Sequence, residues 1–184
     1  MANQSTEGTF SPLLKRWRIG IVQPLIYGRV LDFGCGDGEL AKYVGPTKYC
    51  GLDQDEQTIN IARQLHPDHF FINSISQIQG LFDTLVLSAV VEHLAEPHQT
   101  ISFLATFLKK DIQSKIIITT PHPRAEWVHN LGASLGLFSK HAAEEHNILF
   151  TEETLIQLTP AGLKMSLYKT FQFGFNQLAI YKYA

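Results

Sequence analysis

The sequence predicts an α/β fold, in which a doubly wound, mostly parallel sheet is covered by helices on both faces. Short apolar segments typical of buried strands alternate with segments of helical spacing along most of the 184 residues. This alternation favours a parallel sheet. A glycine-rich turn follows the first of these strands. Two adjoining strand-like segments end the chain, which predicts an antiparallel hairpin.

The N-terminal part of the chain is expected to form a helical cap. From Pro12 to Tyr27 apolar residues recur at helical spacing. Gly20 and Pro24 weaken this helix or break it in two. Residues 1–28 therefore precede the first strand as a cap, within a single domain that covers the whole chain.

Seven strands and four further helices are expected after the cap. Gly45-Pro46 marks the turn before the second strand, Thr151-Glu152-Glu153 has the pattern of a helix N-cap, and Gly174 divides the final hairpin. The expected strands are Arg29–Phe33, Tyr49–Asp53, His69–Ile72, Phe82–Ser88, Lys115–Thr119, Met165–Phe173 and Phe175–Lys182. The expected helices are Asp37–Val44, Asp55–Leu65, Glu96–Leu108 and Thr151–Leu158. Residues 121–147 carry prolines and glycines and form an insert that interrupts the alternation.

Composition limits the classes of function. The formal net charge is only −2, so there is no basic excess to neutralise phosphates, which disfavours a nucleic-acid partner. Cys35 and Cys50 fall in expected loop or strand positions and are interpreted as reduced thiols. The polar segment Met1–Thr9 lacks the organisation of a signal peptide, and the longest apolar run is too short to cross a bilayer. We therefore expect a cytoplasmic protein without a membrane partner.

The most informative segment is the turn after the first strand. Val30–Phe33 is a short apolar run with one acidic residue, and Gly34–Gly38 alternates glycine with other residues. Glycines in such a turn lack Cβ atoms, so a ligand can lie against the backbone. Open α/β sheets bind nucleotides at the carboxyl ends of their strands. The dinucleotide fingerprint requires a third glycine where this chain has Glu39.

Asp32 followed by G-x-G-x-G resembles the class I S-adenosylmethionine-dependent methyltransferases. Further ordered motifs extend the resemblance from about Arg29 to the C-terminus. Four segments are similar to motifs of the family. They are its second strand (Lys48–Asp53), its fourth strand (Phe82–Ser88), its post-strand signature (Val91–Leu94) and its fifth strand (Ile116–Pro121). The resemblance implies a Rossmann-like methyltransferase fold with a seven-stranded sheet and a C-terminal antiparallel hairpin. It also implies S-adenosylmethionine as cofactor and S-adenosylhomocysteine as product.

The resemblance implies where this cofactor binds. It carries no phosphate, so the glycine turn would admit its methionyl portion and ribose to the backbone. Asp53 would accept bonds from the ribose hydroxyls, and Asn73, which stands where the family often has an acidic residue, can still accept one from the adenine amino group. The Cys35 thiol is expected to fill space. The implied set is Asp32, Gly34, Cys35, Gly36, Asp53, Gln54, Asn73, Ser74, Ser88, Ala89 and Val90, the last three bordering the sulfonium. The alternatives are a structural glycine turn, a helix cap at Asp53 and plain loop polarity at Asn73.

His93 and Glu92 are the candidate catalytic residues. Methyl transfer from a sulfonium is a displacement with an activated leaving group, so the enzyme mainly aligns a nucleophile in a dry site. A general base helps when the acceptor is a hydroxyl or a protonated amine. The resemblance places His93 near the methyl donor, where Glu92 would orient it or contact the substrate. The alternative is that both residues cap the next helix.

The expected substrate-binding residues lie in or beside the insert. His122 directly follows the fifth strand and in this fold class points toward the cleft. Trp127 either packs within the insert or stacks on the acceptor, and His146 precedes the last helix. We expect a small-molecule acceptor methylated on oxygen, nitrogen or carbon. The short insert leaves open a pocket that a partner subunit completes, so a homodimer is compatible with the sequence.

Three other functions are less favoured. Metal-assisted RNA 3′-terminal methyltransferases share a Glu-His pair, but they carry a further glutamate where this chain has Ala89, and no metal is expected here. A non-catalytic or partner-dependent cofactor-binding protein is disfavoured by the intact glycine turn and Asp53. A nicotinamide oxidoreductase is disfavoured by Glu39 and by the motifs of the fourth and fifth strands.

Overall fold

A computed structural model describes residues 11–124 and 149–184. In these ranges the α-helices are α1 (Ser11–Val22), α2 (Glu56–Leu65), α3 (Pro97–Ala105) and α4 (Glu152–Gln157). The strands are β1 (Val30–Phe33), β2 (Tyr49–Leu52), β3 (Phe70–Ile72), β4 (Thr84–Ser88), β5 (Lys115–Pro121), β6 (Leu163–Phe171) and β7 (Asn176–Tyr183). Within the described ranges, no helix combines the length and the apolar character needed to span a bilayer.

The seven strands form one sheet in the order β3-β2-β1-β4-β5-β7-β6. Strands β1 to β5 run parallel to one another. Strand β7 pairs antiparallel with both β5 and β6. The predicted doubly wound sheet with a C-terminal antiparallel hairpin is therefore confirmed.

The core lies on both faces of this sheet because successive strand residues point to opposite sides. One face packs against α3 and α4 through side chains that include Leu31, Leu85 and Ile116. The other face packs against α1 and α2 through Val30, Val86 and others. Each of these side chains is fully or almost fully buried. This two-sided burial explains why the strands have nearly continuous apolar sequences.

The helix predicted over Asp37–Val44 is wrong. The structure has a short 3₁₀ helix there, Glu39–Tyr43, closed by bonds from Ala41 N to Gly38 O and from Val44 N to Ala41 O. Gly38 adopts a left-handed conformation, with φ of 77°, and Val44 is already extended. The segment between them is too short to establish i→i−4 bonding.

Two predicted helices are shorter in the structure. Helix α1 runs through Gly20 and ends at Val22, and Pro24 lies in the 3₁₀ helix that follows. Helix α3 ends at Ala105 rather than Leu108, because the chain there turns with i→i+3 bonds and the Phe107 carbonyl accepts a bond from Phe82 N at 2.8 Å. Pairing with the segment just before β4 therefore replaces the last helical turn.

The turn between β6 and β7 is wider than the single predicted glycine. Strand β6 ends at Phe171 and β7 begins at Asn176. Gly174 has a φ of 84°, and Gln172 and Phe173 also adopt positive φ values, of 51° and 58°. Most of the predicted insert, residues 121–147, lies outside the described residues.

Candidate active site

The carboxyl ends of β1, β2 and β4 meet at one edge of the sheet. Phe33 pairs with Leu52, so Gly34 and Asp53 leave the sheet side by side, and Ser88 ends β4 on the other side of β1. The strand order reverses at β1, with β2 to one side and β4 to the other. Ligands of open α/β sheets bind in the crevice at such a switch point.

The glycine turn is tied to β2 through its amides. The N–H groups of Gly34 and Cys35 donate to Leu52 O at 2.7 and 3.0 Å. The N–H of Gly36 donates to Asp53 Oδ2 at 2.9 Å. Three amides that a dinucleotide-binding turn could offer to a pyrophosphate are thus committed to the protein itself. The turn is better suited to a ligand without phosphate.

Positions 34 and 36 of the turn hold glycine for different structural reasons. Gly34 has a φ of 74°, and a Cβ there would lie 2.4 Å from Cγ2 of Val90. Gly36 has a φ of 56°, and among the described residues its Cβ position has one neighbour within 4 Å, the Lys15 Nζ at 4.0 Å. Gly34 therefore serves close packing, whereas Gly36 leaves open space beside the turn. Such a space lets a ligand approach the backbone.

Asp32 is a buried carboxylate beneath this turn. It is 4% exposed, and its Oδ2 accepts a hydrogen bond from Tyr49 Oη at 2.7 Å. Burial raises the pKa of Asp32 to about 6, against the opposing effects of the Tyr49 hydrogen bond and the positive charge of Lys15. A positive ligand group would favour the ionised form of Asp32.

Asp53 links the turn to the next helix. Its Oδ2 accepts from Gly36 N, and its Oδ1 accepts from Asp55 N at 3.1 Å. The N-cap of α2 is Asp55, whose side chain accepts from Gln57 N, so the alternative of Asp53 as helix cap is wrong. The adjacent Gln54 is exposed. Asp53 thus stands beside the open part of the turn with both oxygens on that side of the sheet.

The adenine-side residues have largely local bonds. The N–H groups of Asn73 and Ser74 each donate to Gln77 Oε1 at 3.2 Å. Ser74 is also the N-cap of a 3₁₀ helix, with its side chain accepting from Ser76 N. The Ser74 hydroxyl therefore stabilises this 3₁₀ helix, and the expected adenine contact of Asn73 stays a prediction.

Residues after β4 hold the opposite wall of the crevice. Ser88 Oγ lies 3.1 Å from Thr119 Oγ1. Ala89 has a φ of 57°, and its N–H donates to Thr119 O at 2.8 Å. The Val90 side chain packs under Gly34, so it supports the turn directly. The Cys35 thiol is buried and donates weakly to Gly36 O at 3.6 Å.

Glu92 and His93 face different environments. Glu92 is 3% exposed, and its Oε2 has no hydrogen-bond partner among the described residues. Burial raises the pKa of Glu92, while backbone hydrogen bonding and the charges of His93 and Arg18 oppose that rise. His93 is exposed. The N-cap of α3 is Glu96, so the alternative that Glu92 and His93 cap this helix is wrong.

His122 stands at the end of β5, beside the same crevice. Its N–H donates to Phe175 O at 2.9 Å, and its Nδ1 accepts from Arg124 N at 3.1 Å. Burial and the charge of Arg124 lower the pKa of His122. The neutral ring then carries its proton on Nε2, which is a donor. Trp127 and His146, the other expected substrate residues, lie outside the described residues.

Lys15 is a site residue that sequence reasoning missed. It forms an ion pair with Asp37 Oδ1 in the glycine turn. Helix α1 also contacts the β6–β7 turn. Gln172 Nε2 donates to Leu14 O at 3.1 Å, and the rings of Trp17 and Phe173 meet edge to face. No local pattern in the sequence signals that this helix crosses the glycine turn.

A family model described as a methyltransferase domain matches residues 14–164. This chain belongs to the methyltransferase-domain family. The enzyme class that the sequence predicted, an S-adenosylmethionine-dependent methyltransferase, is therefore confirmed. The match begins in α1 and includes every strand up to β5, so it contains the whole crevice described above.

Similar proteins support the same family. The ubiquinone/menaquinone biosynthesis C-methyltransferase UbiE of Campylobacter jejuni is 24% identical, over 84% of this chain and 78% of UbiE. Magnesium protoporphyrin IX methyltransferase of Synechocystis PCC 6803, solved with bound S-adenosylhomocysteine, superposes with a TM-score of 0.66 at 18% identity, covering 94% of this chain and 83% of the other. The PH0226 protein of Pyrococcus horikoshii OT3 superposes at 0.70 and 18% identity, covering 97% and 96%. At these identities the structural comparisons establish the fold.

Within residues 11–124 and 149–184, no group of three or more histidine, cysteine or acidic side chains could hold a metal ion. Two surface cavities, of 520 and 380 Å³, lie beside α3 and α4. They are shallow and are lined by residues remote from the glycine turn, such as His98 and Ile156.

Proposed function

We propose that this methyltransferase transfers a methyl group from S-adenosylmethionine to an oxygen, nitrogen or carbon of a small molecule, in line, with S-adenosylhomocysteine as product. The observation that carries the proposal is the glycine turn, whose amides are committed to Leu52 and Asp53 while space stays open beside Gly36. This geometry suits a cofactor without phosphate. UbiE and the magnesium protoporphyrin IX methyltransferase carry small-molecule acceptors in their names, which supports the same class here.

The residues of the crevice fit this cofactor. Asp32, Gly34 and Gly36 would receive the methionyl portion, whose ammonium group can pair with the Asp32 carboxylate. Asp53 already accepts one bond on each oxygen, and a carboxylate has about four acceptor sites, so it retains capacity for the two ribose hydroxyls. Gln54 and Asn73 would flank the adenine. The bound cofactor supplies an activated methyl group.

The acceptor would lie between β4 and the end of β5. His93, exposed just after β4, would take a proton from a hydroxyl or ammonium acceptor. Glu92 would act through His93, because its own carboxylate is buried. His122 would donate from Nε2 to an acceptor oxygen rather than serve as a base, since Nδ1 is engaged by Arg124 N. Trp127 and His146 stay predictions for the same pocket.

We also propose a cytoplasmic location, which the two cysteines support. Cys35 and Cys50 are both buried free thiols. Disulfides persist mainly in oxidising compartments. The acceptor is therefore expected among cytoplasmic small molecules.

The decisive experiment is a calorimetric and thermal-shift titration of the purified protein with S-adenosylmethionine and S-adenosylhomocysteine, with NAD for comparison. A ligand at about 100 times its Kd adds roughly 2.7 kcal/mol to the free energy of unfolding. Asp53→Ala should abolish most of this gain, whereas Asp68→Ala, a change at an exposed carboxylate ahead of β3, should not. Stabilisation by NAD alone would refute the proposal. Acceptor screening follows, in which His93→Ala should lower turnover and leave cofactor affinity unchanged.

A further inference from the structure

Helix α1 carries a lysine ammonium to the glycine turn. Lys15 Nζ pairs with Asp37 Oδ1 and lies 4.0 Å from the Cβ position of Gly36, at the open space of the turn. The Lys15 side chain is 36% exposed, so solvent or a ligand can reach it. The ammonium is therefore part of the crevice that the cofactor would occupy.

The position of Lys15 is set by packing on both sides of it. Ile19 and Val22 of α1 are buried against the sheet. The carbonyl of Leu14 accepts a bond from Gln172 Nε2 in the β6–β7 turn at 3.1 Å. A side chain on a helix held at both points is presented in a defined direction, which lowers the entropy lost on binding.

The crevice around Lys15 is rich in negative charge. Asp32, Asp37 and Asp53 stand within it, and the positive charge of Lys15 opposes the rise that burial causes in the pKa of Asp32. A carboxylate entering this crevice would meet three aspartates and would be repelled unless a cation accompanied it. Lys42, another cation beside the turn, pairs with Glu39 at 2.6 Å. The positive charge of Arg18 opposes the rise that burial causes in the pKa of Glu92.

We propose that Lys15 binds the α-carboxylate of the methionyl portion of S-adenosylmethionine. The inference rests on the proposed function and assigns to α1 a residue of the same cofactor site. An ammonium has three donors, so Lys15 can keep its bond to Asp37 while it donates to the carboxylate. Asp32 then pairs with the cofactor's ammonium, and the zwitterionic end of the cofactor meets one cation and one anion of the protein.

The test compares two ligands that differ only in this carboxylate. S-adenosylmethionine and its decarboxylated form, which keeps the sulfonium and the amino group, are titrated calorimetrically into the full chain. The variants are Lys15→Met, which removes the charge and keeps an unbranched apolar side chain, and Lys15→Arg, which keeps the charge. Lys42→Met is the matched control, because it removes the same charge from an exposed ion pair beyond the turn.

The wild type should bind S-adenosylmethionine about ten- to a hundredfold more tightly than the decarboxylated form, as expected for one charge-assisted hydrogen bond. Lys15→Met should lose this preference by weakening S-adenosylmethionine alone. Lys15→Arg should keep most of it, and Lys42→Met should behave as wild type.

Four results would overturn the inference. Equal weakening of both ligands by Lys15→Met would make Lys15 a purely structural residue. Tighter binding of S-adenosylmethionine to Lys15→Met would mean that Lys15 competes with the cofactor for Asp37, and unchanged binding would remove it from the site. If the wild type bound neither compound, nor 5′-methylthioadenosine, which lacks the whole amino-acid end, the proposed function itself would fail, and the role of Lys15 with it.

Discussion

The buried carboxylate of Asp32 under the glycine turn lowers the stability of the folded protein when it is ionised. Its carboxylate is buried, and one tyrosine hydroxyl is the hydrogen-bond donor found for its Oδ2. Burial raises the pKa to about 6 from an ordinary value of 3.8. The folded protein therefore binds this proton more tightly than the unfolded chain does, which ties both stability and ligand binding to pH.

The stability of the apo protein should fall as pH rises from about 4 to about 6, because the unfolded chain loses the Asp32 proton first. The shift corresponds to about 3 kcal/mol above pH 6. Asp32→Asn keeps an oxygen that can accept from Tyr49, so it should raise the free energy of unfolding near pH 7 by up to this amount. Urea titrations of both proteins at pH 4.5 and pH 7.5 measure the difference. Equal stability of the two proteins at pH 7.5 would contradict the burial argument.

The affinity for the cofactor should depend on pH in the opposite direction to the stability of the apo protein. An ammonium beside Asp32 favours the ionised carboxylate, so the affinity for S-adenosylmethionine should decrease as pH falls below about 6. Asp32→Asn should bind weakly and without this inflection. Near pH 7 the Asp32→Asn variant should therefore be more stable than the wild type and bind S-adenosylmethionine more weakly. A misfolded variant would lose both stability and binding.

Individual residues of the candidate site could be predicted from the sequence only where they lie at or beside the carboxyl end of a strand next to the glycine turn. Asp32 is the penultimate residue of β1 and Asp53 directly follows β2, and parallel strands place their carboxyl ends together. Lys15 lies 22 residues before its partner Asp37, on a helix with no motif of its own. Its proximity depends on how α1 packs across the sheet, which apolar periodicity does not specify.

At the scale of elements, strand positions were easier to predict than helix lengths. The central strands are buried apolar runs bounded by turns, whereas β6 is mostly exposed and alternates polar with apolar residues. All seven strands were found within about three residues at either end. Helix ends depend on hydrogen bonds to distant segments. Phe107 O pairs with Phe82 N instead of continuing α3, and Gly38 turns left-handed before the short 3₁₀ helix. Neither event is visible in the local pattern.

Gly20 and Gly34 provide a matched pair of glycine-to-alanine substitutions. Gly20 is exposed within α1, and nothing lies within 4 Å of its Cβ position. Gly20→Ala should stabilise the protein by about 0.5–1 kcal/mol, because glycine in a helix interior carries an entropic cost. In a domain of this size the increase in Tm should be about 1–4 °C. Differential scanning calorimetry measures it.

Gly34→Ala makes the same chemical change with the opposite expected result. Its Cβ would meet Val90 Cγ2 at 2.4 Å with the backbone at a φ of 74°. Overpacking and left-handed strain together should lower the free energy of unfolding by about 2–4 kcal/mol. If Gly34→Ala also raised the free energy of unfolding, the folded turn would not require glycine at this position. Both substitutions would then act through the lower conformational entropy of the unfolded chain.

For the whole molecule, the fold could be predicted because alternation of strand and helix leaves few topologies. Right-handed crossovers and short connections place helices on both faces, and the reversed last strand follows from the hairpin. The acceptor could not be predicted, because fold alone does not determine substrate. The residues proposed to contact it, Glu92, His93 and His122, follow the ends of two strands, and the other expected residues, Trp127 and His146, lie outside the described residues.

The two cysteines report whether the molecule opens as one unit. Cys35 packs with the cluster on the α1 and α2 face, and Cys50 packs with the cluster on the α3 and α4 face. Both are buried, and burial raises the pKa of Cys50 to about 11 and that of Cys35 further. The native thiols are thus almost entirely protonated at pH 8, and labelling by a disulfide reagent requires opening of the structure.

Because both clusters share one sheet, we expect the two thiols to be labelled at the same rate, with the same dependence on urea. S-adenosylhomocysteine at about 100 times its Kd should slow both reactions about a hundredfold, since it binds only the folded molecule. Mass spectrometry of the labelled peptides gives the two rates from one sample. Faster labelling of Cys35, insensitive to urea, would instead show that the glycine turn opens by itself. Cofactor entry would then require only that local motion, whereas equal rates mean that the turn is as stable as the sheet that supports it.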